Sequence, residues 1–224
     1  MKDDYVRLII SDIHLGSAHC QEKKLYDLLS SIYFDELILA GDVIDFIKIP
    51  NFTEASAKLF DLVQGLDAKV IYIVGNHDIS FRSFVGKKVC NIFFVDRYEF
   101  EYGGRYFRVE HGDQYETGLV HRRLTMNFIC VIQDIIERVF NFDLSTWWAK
   151  IQNKKRKIKR VWDIVKFNDD VDVYIMGHTH KPEVLIWVDK CENIKTYVNT
   201  GDWVDNCTYV IINNGQLRLK NYNL

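Results

Sequence analysis

The sequence predicts an α/β protein whose first half forms a largely parallel sheet and whose second half forms antiparallel hairpins. Short apolar runs rich in Val, Ile, Phe and Tyr recur along the chain. Several are nearly continuous in hydrophobicity, as strands covered on both faces are. The first three alternate with amphipathic segments, and the order strand, helix, strand, helix, strand requires right-handed βαβ units.

The elements follow in chain order. "YVRLII" is the first strand, and "CQEKKLYDLLSSIY" sets Leu25, Leu28, Leu29 and Ile32 at helical spacing. "ELILA" is the second strand. "TEASAKLFDLVQGL" repeats the helical pattern with Ala55, Leu59, Leu62, Val63 and Leu66 and closes near Gly65. "KVIYIV" and "NIFFV" are further strands, and "YEFEYGGRYFRVE" is a hairpin turning at Gly103 and Gly104. A long helical insertion is expected over residues 117–167. It is followed by the strands "DVYIM", "VLIWV" and "KTYVN" and by a last hairpin, "TYVIINNGQLRLKNY", turning at Asn214 and Gly215.

With 224 residues, 48% hydrophobic and 14% aromatic content, and two prolines, the chain reads as a single globular domain over 1–224 with the insertion inside it. A net charge of -2 predicts no general attraction to polyanions, so a phosphate-binding patch must be local. Five cysteines lie singly, without a CxxC pair, which indicates neither a disulfide framework nor a thiolate zinc site. The start "MKDDYVRLII" has no signal-peptide pattern, and no uncharged apolar run approaches the roughly 18 to 20 residues that span a bilayer. The expected location is the cytoplasm, with contact at the inner face of the membrane through the insertion as a further option.

Five polar clusters each follow an apolar strand: "SDIHLGS", "GDVIDF", "GNHD", "EHGDQ" and "MGHTH". Strand ends of an α/β sheet converge on one crevice, so these clusters are expected to share a site. Five of the seven histidines fall inside them: His14, His77, His111, His178 and His180. Ordinary turn chemistry accounts for Asp, Asn and Gly at strand ends but not for two histidines in "GHTH" together with "DIH". Asp12 and His14 are one residue apart, so in an extended strand end both point to one side and can hold one cation. His178 and His180 repeat the spacing. Asp42 has two oxygens with which to bridge two cations, and Asn76 offers a neutral carbonyl oxygen. Mixed oxygen and imidazole donors without thiolate suit manganese, iron or zinc, with manganese the first expectation. Two divalent ions roughly 3.5 to 4 Å apart would activate a water and clamp a phosphate, which defines a hydrolase.

The ordered set DxH, GD, GNHD, HGD and GHTH resembles the calcineurin-like metallophosphoesterase superfamily over residues 8 to 203. The resemblance implies a four-layer αββα sandwich of two mixed sheets with helices outside, the insertion forming a helical cap. It implies that Asp12, His14, Asp42 and His180 hold one metal, and that Asp42, Asn76, His111 and His178 hold the other, with Asp42 bridging. Metal-activated hydroxide would attack phosphorus. His77 would lie near the scissile phosphate and protonate the leaving oxygen, and Asp78 would orient it. "LGS", "HGDQ", the basic helical insertion and "YVNTGDWVDNCTYVI" are similar to the UDP-2,3-diacylglucosamine pyrophosphohydrolase family and its relatives, which act in lipid A synthesis. The best-known members of that family carry arginine where this chain has His77.

Other residues have two roles open. Asp45 either caps a helix or supports a ligand, and Asp113 is expected to orient His111. His19 reads as a surface or packing residue. His121, Arg122 and Arg123 begin the insertion and are candidates for binding substrate phosphate. Beyond them, Trp147, Trp148, Ile151, Ile158, Val161 and Trp162 are interleaved with Lys150, Lys154, Lys155, Arg156, Lys157, Lys159 and Arg160. That composition fits a cap packed on itself with a solvated basic face, and also an anionic lipid or membrane boundary. Trp203 either fills core space at a turn or touches substrate. The expected substrate is a phosphorylated small molecule or a nucleotide-linked lipid; the alternative is a phosphodiesterase or nuclease acting on nucleotides or nucleic acid.

Overall fold

The computed structural model describes residues 5–47, 50–115 and 170–222. The candidate cap, residues 117–167, and with it His121, Arg122 and Arg123, lies outside the described residues.

Strands β1 (Arg7–Ile10), β2 (Glu36–Ala40), β3 (Lys69–Ile73) and β5 (Ile92–Val95) pair in parallel, as the βαβ pattern requires. Helices α1 (Glu22–Ser31) and α2 (Glu54–Gly65) make the first two crossovers. Antiparallel strands finish this sheet at both edges, the two-residue β4 (Lys88–Val89) on one side and β11 (Thr208–Asn213) with β12 (Gln216–Asn221) on the other. The order is β12-β11-β1-β2-β3-β5-β4. A second sheet has the order β6-β7-β8-β10-β9, from β6 (Tyr98–Tyr102), β7 (Arg105–Val109), β8 (Val173–Met176), β9 (Glu183–Val188) and β10 (Ile194–Asn199). Both sheets are therefore mixed. β7, β8 and β10 run parallel, and β6 and β9 are antiparallel edges.

Period-2 alternation assigns each strand residue to a layer. Leu8 and Ile10 face the helices with Leu25, Leu28 and Leu59, whereas Ile9 faces the second sheet. Ile38, Ile71 and Val210 join Ile9 there, against Phe107, Val109, Val173, Ile175 and Val198. A third cluster, Val171, Tyr174, Met176 and Tyr197, lies on the far face of the second sheet. The described residues thus supply three layers of the sandwich, with both α-helices on the first sheet.

Ile38 is fully buried between the sheets, so Ile38→Ala removes methylenes that no water can replace. The expected cost is about 2 to 5 kcal/mol of unfolding free energy, read from urea denaturation.

Candidate metal centre

The polar clusters occupy the carboxyl ends of β1, β2, β3, β7 and β8, and backbone hydrogen bonds tie these ends to one another. The Asp12 amide donates to the Gly41 carbonyl at 3.0 Å and the His14 amide to the Asp42 carbonyl at 3.0 Å. In the second sheet the Gly177 amide donates to the His111 carbonyl at 3.1 Å. The His178 amide crosses between sheets to the Asp12 carboxylate, 2.9 Å from Oδ2.

Asp12, His14, Asp42, His178 and His180 have positive φ, between 51° and 65°. They make up five of the nine such non-glycine residues among those described. This corrects the expectation that Asp12 and His14 share a side by strand alternation. β1 has already ended at Ile10, and two left-handed residues, not an extended pleat, turn both side chains inward. Asp and His tolerate that region better than most L residues, so ligand chemistry and turn geometry select the same residue types. His178 and His180, despite the matching spacing, fall in different donor groups.

Close approach also requires glycine. A side chain at Gly177 would overlap the Asp12 carboxylate and the Ser11 hydroxyl, and one at Gly41 (φ 88°) would overlap the His111 ring.

The donor atoms face one another. In the first group, His180 Nε2 lies 3.2 Å from both Asp12 Oδ1 and His14 Nε2, and His14 Nε2 lies 4.0 Å from Asp12 Oδ1. In the second, His111 Nε2 lies 3.1 Å from Asp42 Oδ2 and 3.1 Å from Asn76 Oδ1. His178 completes that group. His111 Nδ1 is 3.0 Å from the Ala40 carbonyl, which accepts its proton and leaves the Nε2 lone pair aimed at Asp42 and Asn76. The orienting partner of His111 is therefore this carbonyl, in place of Asp113. Carboxylate, amide and imidazole lone pairs this close repel unless a proton or cation lies between them, and the donor set fits divalent metal.

Electrostatics agree. Burial opposes ionisation of Asp12, but His180 holds its pKa down at about 2. Burial likewise opposes charge on His180, yet Asp12 lifts its pKa to about 9. Asp42 lies well below the usual carboxylate range because His111 and His77 outweigh burial, and Asp42 in turn holds His111 well above the histidine range. His14, buried and beside His77, falls to about 4 and stays neutral, as a ligand must.

His77 stands at the edge of both groups. Its Nδ1 is 3.0 Å from Asp45 Oδ1, its Nε2 is 3.8 Å from Asp42 Oδ2, and its ring meets His14 edge-on at 4.5 Å. Asp45, expected as a cap or a supporting residue, is thus the partner that orients His77. Asp78 is not. Its carboxylate turns away and accepts from the Val43 amide at 2.9 Å, the Gly75 amide at 2.6 Å and the Tyr72 hydroxyl at 2.6 Å. Fully buried, it braces the loop after β3 against the loop after β2. His14, Asp45 and His77 also lie close enough to form a third group with metal-ligand spacing.

Of the two roles open to Trp203, the structure gives it the core one and not the substrate one. It is 0% exposed and packs in the helix-side core, with no surface to offer a substrate. The residue of that stretch that reaches the donor groups is its neighbour Asp202, whose Oδ2 lies 3.9 Å from His180 Nδ1. Asn206 Nδ2 ties the same loop to the His180 carbonyl at 3.0 Å. The signal was present in the sequence: "GDWVDN" is a sixth polar cluster after an apolar strand, β10. His19 is exposed and outside the site.

A family model of calcineurin-like phosphoesterases matches residues 6–182. No curated protein matches the chain by sequence. Among solved structures, YfcE, a phosphoesterase from E. coli, is similar at 16% identity over 97% of this chain and 93% of its own, with a TM-score of 0.52. Vps29 from Chaetomium thermophilum is similar at 12% identity over 99% of this chain and 96% of its own, with a TM-score of 0.50. At these identities the two structures speak to the fold.

Below its pKa of about 9, His180 carries a proton that a metal must displace. Divalent metal affinity should therefore strengthen as pH rises from 6 toward 9, by about tenfold per pH unit for each proton displaced. Titration calorimetry in buffers of different ionisation enthalpy measures both the affinity and the proton release.

Proposed function

The chain belongs to the calcineurin-like phosphoesterase family, and from that premise we propose that this metal-dependent phosphoesterase cleaves a pyrophosphate or phosphodiester bond in a nucleotide-linked lipid such as UDP-2,3-diacylglucosamine. One observation carries the hydrolytic chemistry: two facing sets of lone pairs at fixed strand ends, with a carboxylate-backed histidine beside them. Asp12, His14, Asp42 and His180 would hold one divalent ion, and Asp42, Asn76, His111 and His178 the other, with Asp42 shared. Manganese fits the mixture of carboxylate, amide and imidazole donors. Bound there, the two ions supply an activated water and neutralise charge on the phosphoryl oxygens.

The chain's own residues do the rest. The His77 amide donates to Asp42 Oδ1 at 2.8 Å, which fixes the loop that carries the imidazole. The Asp45 carboxylate takes the Nδ1 side of the ring and so directs Nε2 toward the centre. Burial works against charge on His77, but Asp42 and Asp45 together keep its pKa above the usual histidine value. That shift favours the charged ring, whose Nε2 proton would pass to the leaving oxygen as the bond to phosphorus breaks. Asp45 receives no proton in this step. It holds the ring and stabilises its charged form.

The lipid assignment is supported by the subgroup motifs and by the aromatic and basic residues of 147–160. With that assignment goes a proposed cytoplasmic location, in contact with the inner face of the membrane.

Purified protein supplied with manganese should hydrolyse bis(p-nitrophenyl) phosphate and turn over UDP-2,3-diacylglucosamine faster than a single-stranded oligonucleotide. A reversed preference, with oligonucleotide binding that weakens steeply with salt, would assign the nuclease function instead.

Asp45 and Asp78 separate by variant. Asp45→Asn should lower turnover about 10- to 100-fold with metal content unchanged, as measured by steady-state kinetics and elemental analysis. Asp78→Asn should instead cost about 1 to 3 kcal/mol of stability in denaturant melts, because it places an amide group against donors that need an acceptor.

A further inference from the structure

Two residues of the stretch "YVNTGDWVDNCTYVI", Asn199 and Thr200, lie outside the donor groups yet connect to them. Asn199 ends β10 in the second sheet, Thr200 follows it, and both are buried. The Asn199 side chain holds the loop that carries His178 and His180. Its Nδ2 donates to the Gly177 carbonyl at 2.6 Å and to the Thr179 hydroxyl at 3.0 Å, and its Oδ1 accepts from the Gly201 amide at 2.9 Å. Thr200 reaches across to the first sheet. Its hydroxyl lies 2.5 Å from that of Ser11, the residue after β1, and Ser11 in turn donates to Asp12 Oδ2.

Donor counting fixes the direction of this chain. An ionised carboxylate only accepts, so the single Ser11 proton goes to Asp12, and the Ser11 oxygen is left to accept from Thr200. Two further acceptors, the Gly201 carbonyl at 3.2 Å from Ser11 Oγ and the Met176 carbonyl at 3.3 Å from Thr200 Oγ1, are farther and uncharged. The two oxygens of Asp12 thereby become unequal. The His178 amide does not separate them, at 2.9 Å from Oδ2 and 3.1 Å from Oδ1, so the distinction falls to Ser11. Oδ2 is also enclosed on the Gly177 side, where a Cβ would overlap it. Oδ1 faces the His180 and His14 imidazoles.

We propose that Ser11 and Thr200 are positioning residues of the metal centre, whose hydroxyl chain occupies Asp12 Oδ2 and so presents Oδ1 alone to the ion held with His14 and His180. This rests on the assignment of Asp12, His14, Asp42 and His180 to one divalent ion. The end of β10 then sets donors on both sheets, the His178 and His180 loop through Asn199 and the Asp12 carboxylate through Thr200 and Ser11. Without the Ser11 proton the carboxylate is free to turn about its Cβ–Cγ bond or to take the ion with both oxygens. Ser11, Asp12 and Thr200 are all buried, so bulk water does not take the place of the hydroxyl.

Calorimetric titration of the metal-free full chain with Mn2+ reads the effect without turnover. Wild type should take two ions. Ser11→Ala should weaken one of them about 10- to 100-fold and leave the other within about twofold. Two variants of Thr200 separate hydrogen bonding from packing, because valine keeps the branched shape without the hydroxyl and serine keeps the hydroxyl without the methyl. Thr200→Val should weaken the same ion about threefold or more, and Thr200→Ser by less than about twofold. A packing role gives the reverse order. Should Ser11→Ala fail to fold, the order of the two Thr200 variants decides alone. Unchanged affinity in Ser11→Ala and Thr200→Val, equal weakening of both ions, or a larger loss in Thr200→Ser than in Thr200→Val would overturn the proposal and leave the metal centre standing. A wild type that takes no Mn2+ would overturn the metal centre itself, and the proposal with it.

Discussion

Buried lone pairs converge in this protein where nothing in the chain itself can reconcile them. Asp42 Oδ2, Asn76 Oδ1 and His111 Nε2 meet at 3.1 Å, and Asp12 Oδ1, His14 Nε2 and His180 Nε2 meet at 3.2 to 4.0 Å. Such groups stay together only with positive charge between them. Without metal that charge must come from protons, which is why His180 and His111 have raised pKa values while their aspartates have lowered ones. The site is therefore a place where protons and divalent metal compete for the same lone pairs.

The fold makes that arrangement stable. Five of the ligand candidates hold left-handed backbone conformations, which cost of order 1 to 3 kcal/mol each in strain for ordinary residues. Such conformations persist only where the surroundings determine them fully. Here the strand before each turn is anchored between packed layers: Ile9, Ile38, Val109 and Ile175 are completely buried between the two sheets. The Asp12 to Gly41 and Gly177 to His111 backbone bonds then fix one turn to the next. Burial energy spread over the core thus holds strain concentrated at the strand ends.

Much of this was legible in the sequence, and the parts that were not share a cause. Histidine and aspartate after apolar runs, with the asparagine of "GNHD", pointed to the seven candidate ligands, because composition and strand ends are one-dimensional properties. The partner of His77 was not identified, since the resemblance implied Asp78 while the chain turns into a short helix over Ile79–Phe84 and points that carboxylate at backbone amides. Asp45, 32 residues earlier, comes alongside only because β2 and β3 are neighbours in the sheet. Trp203 stayed open between core and substrate for a related reason: the pattern does not say which way it leaves the turn, and the loop turns its indole into the helix-side core and leaves Asp202 facing His180. Patterns report which residues gather at a strand end. They do not report which way each side chain leaves a left-handed turn.

The uneven burial of the donors gives the centre a direction. The side chains of His111 and Asp42 are 1% and 2% exposed, so the second group lies at the floor. His180 is 37% and His77 25% exposed, so among the described donors these two rings stand on the open side. Each of those rings has its Nδ1 side turned to a carboxylate, Asp202 for His180 and Asp45 for His77. The residues that meet the substrate first are therefore the solvent-facing ones, and solvent-facing imidazoles would otherwise rotate freely. Placing a carboxylate behind each adds local order to that which the two-sheet core gives the floor, with His77 Nε2 turned toward Asp42 and His180 Nε2 toward Asp12.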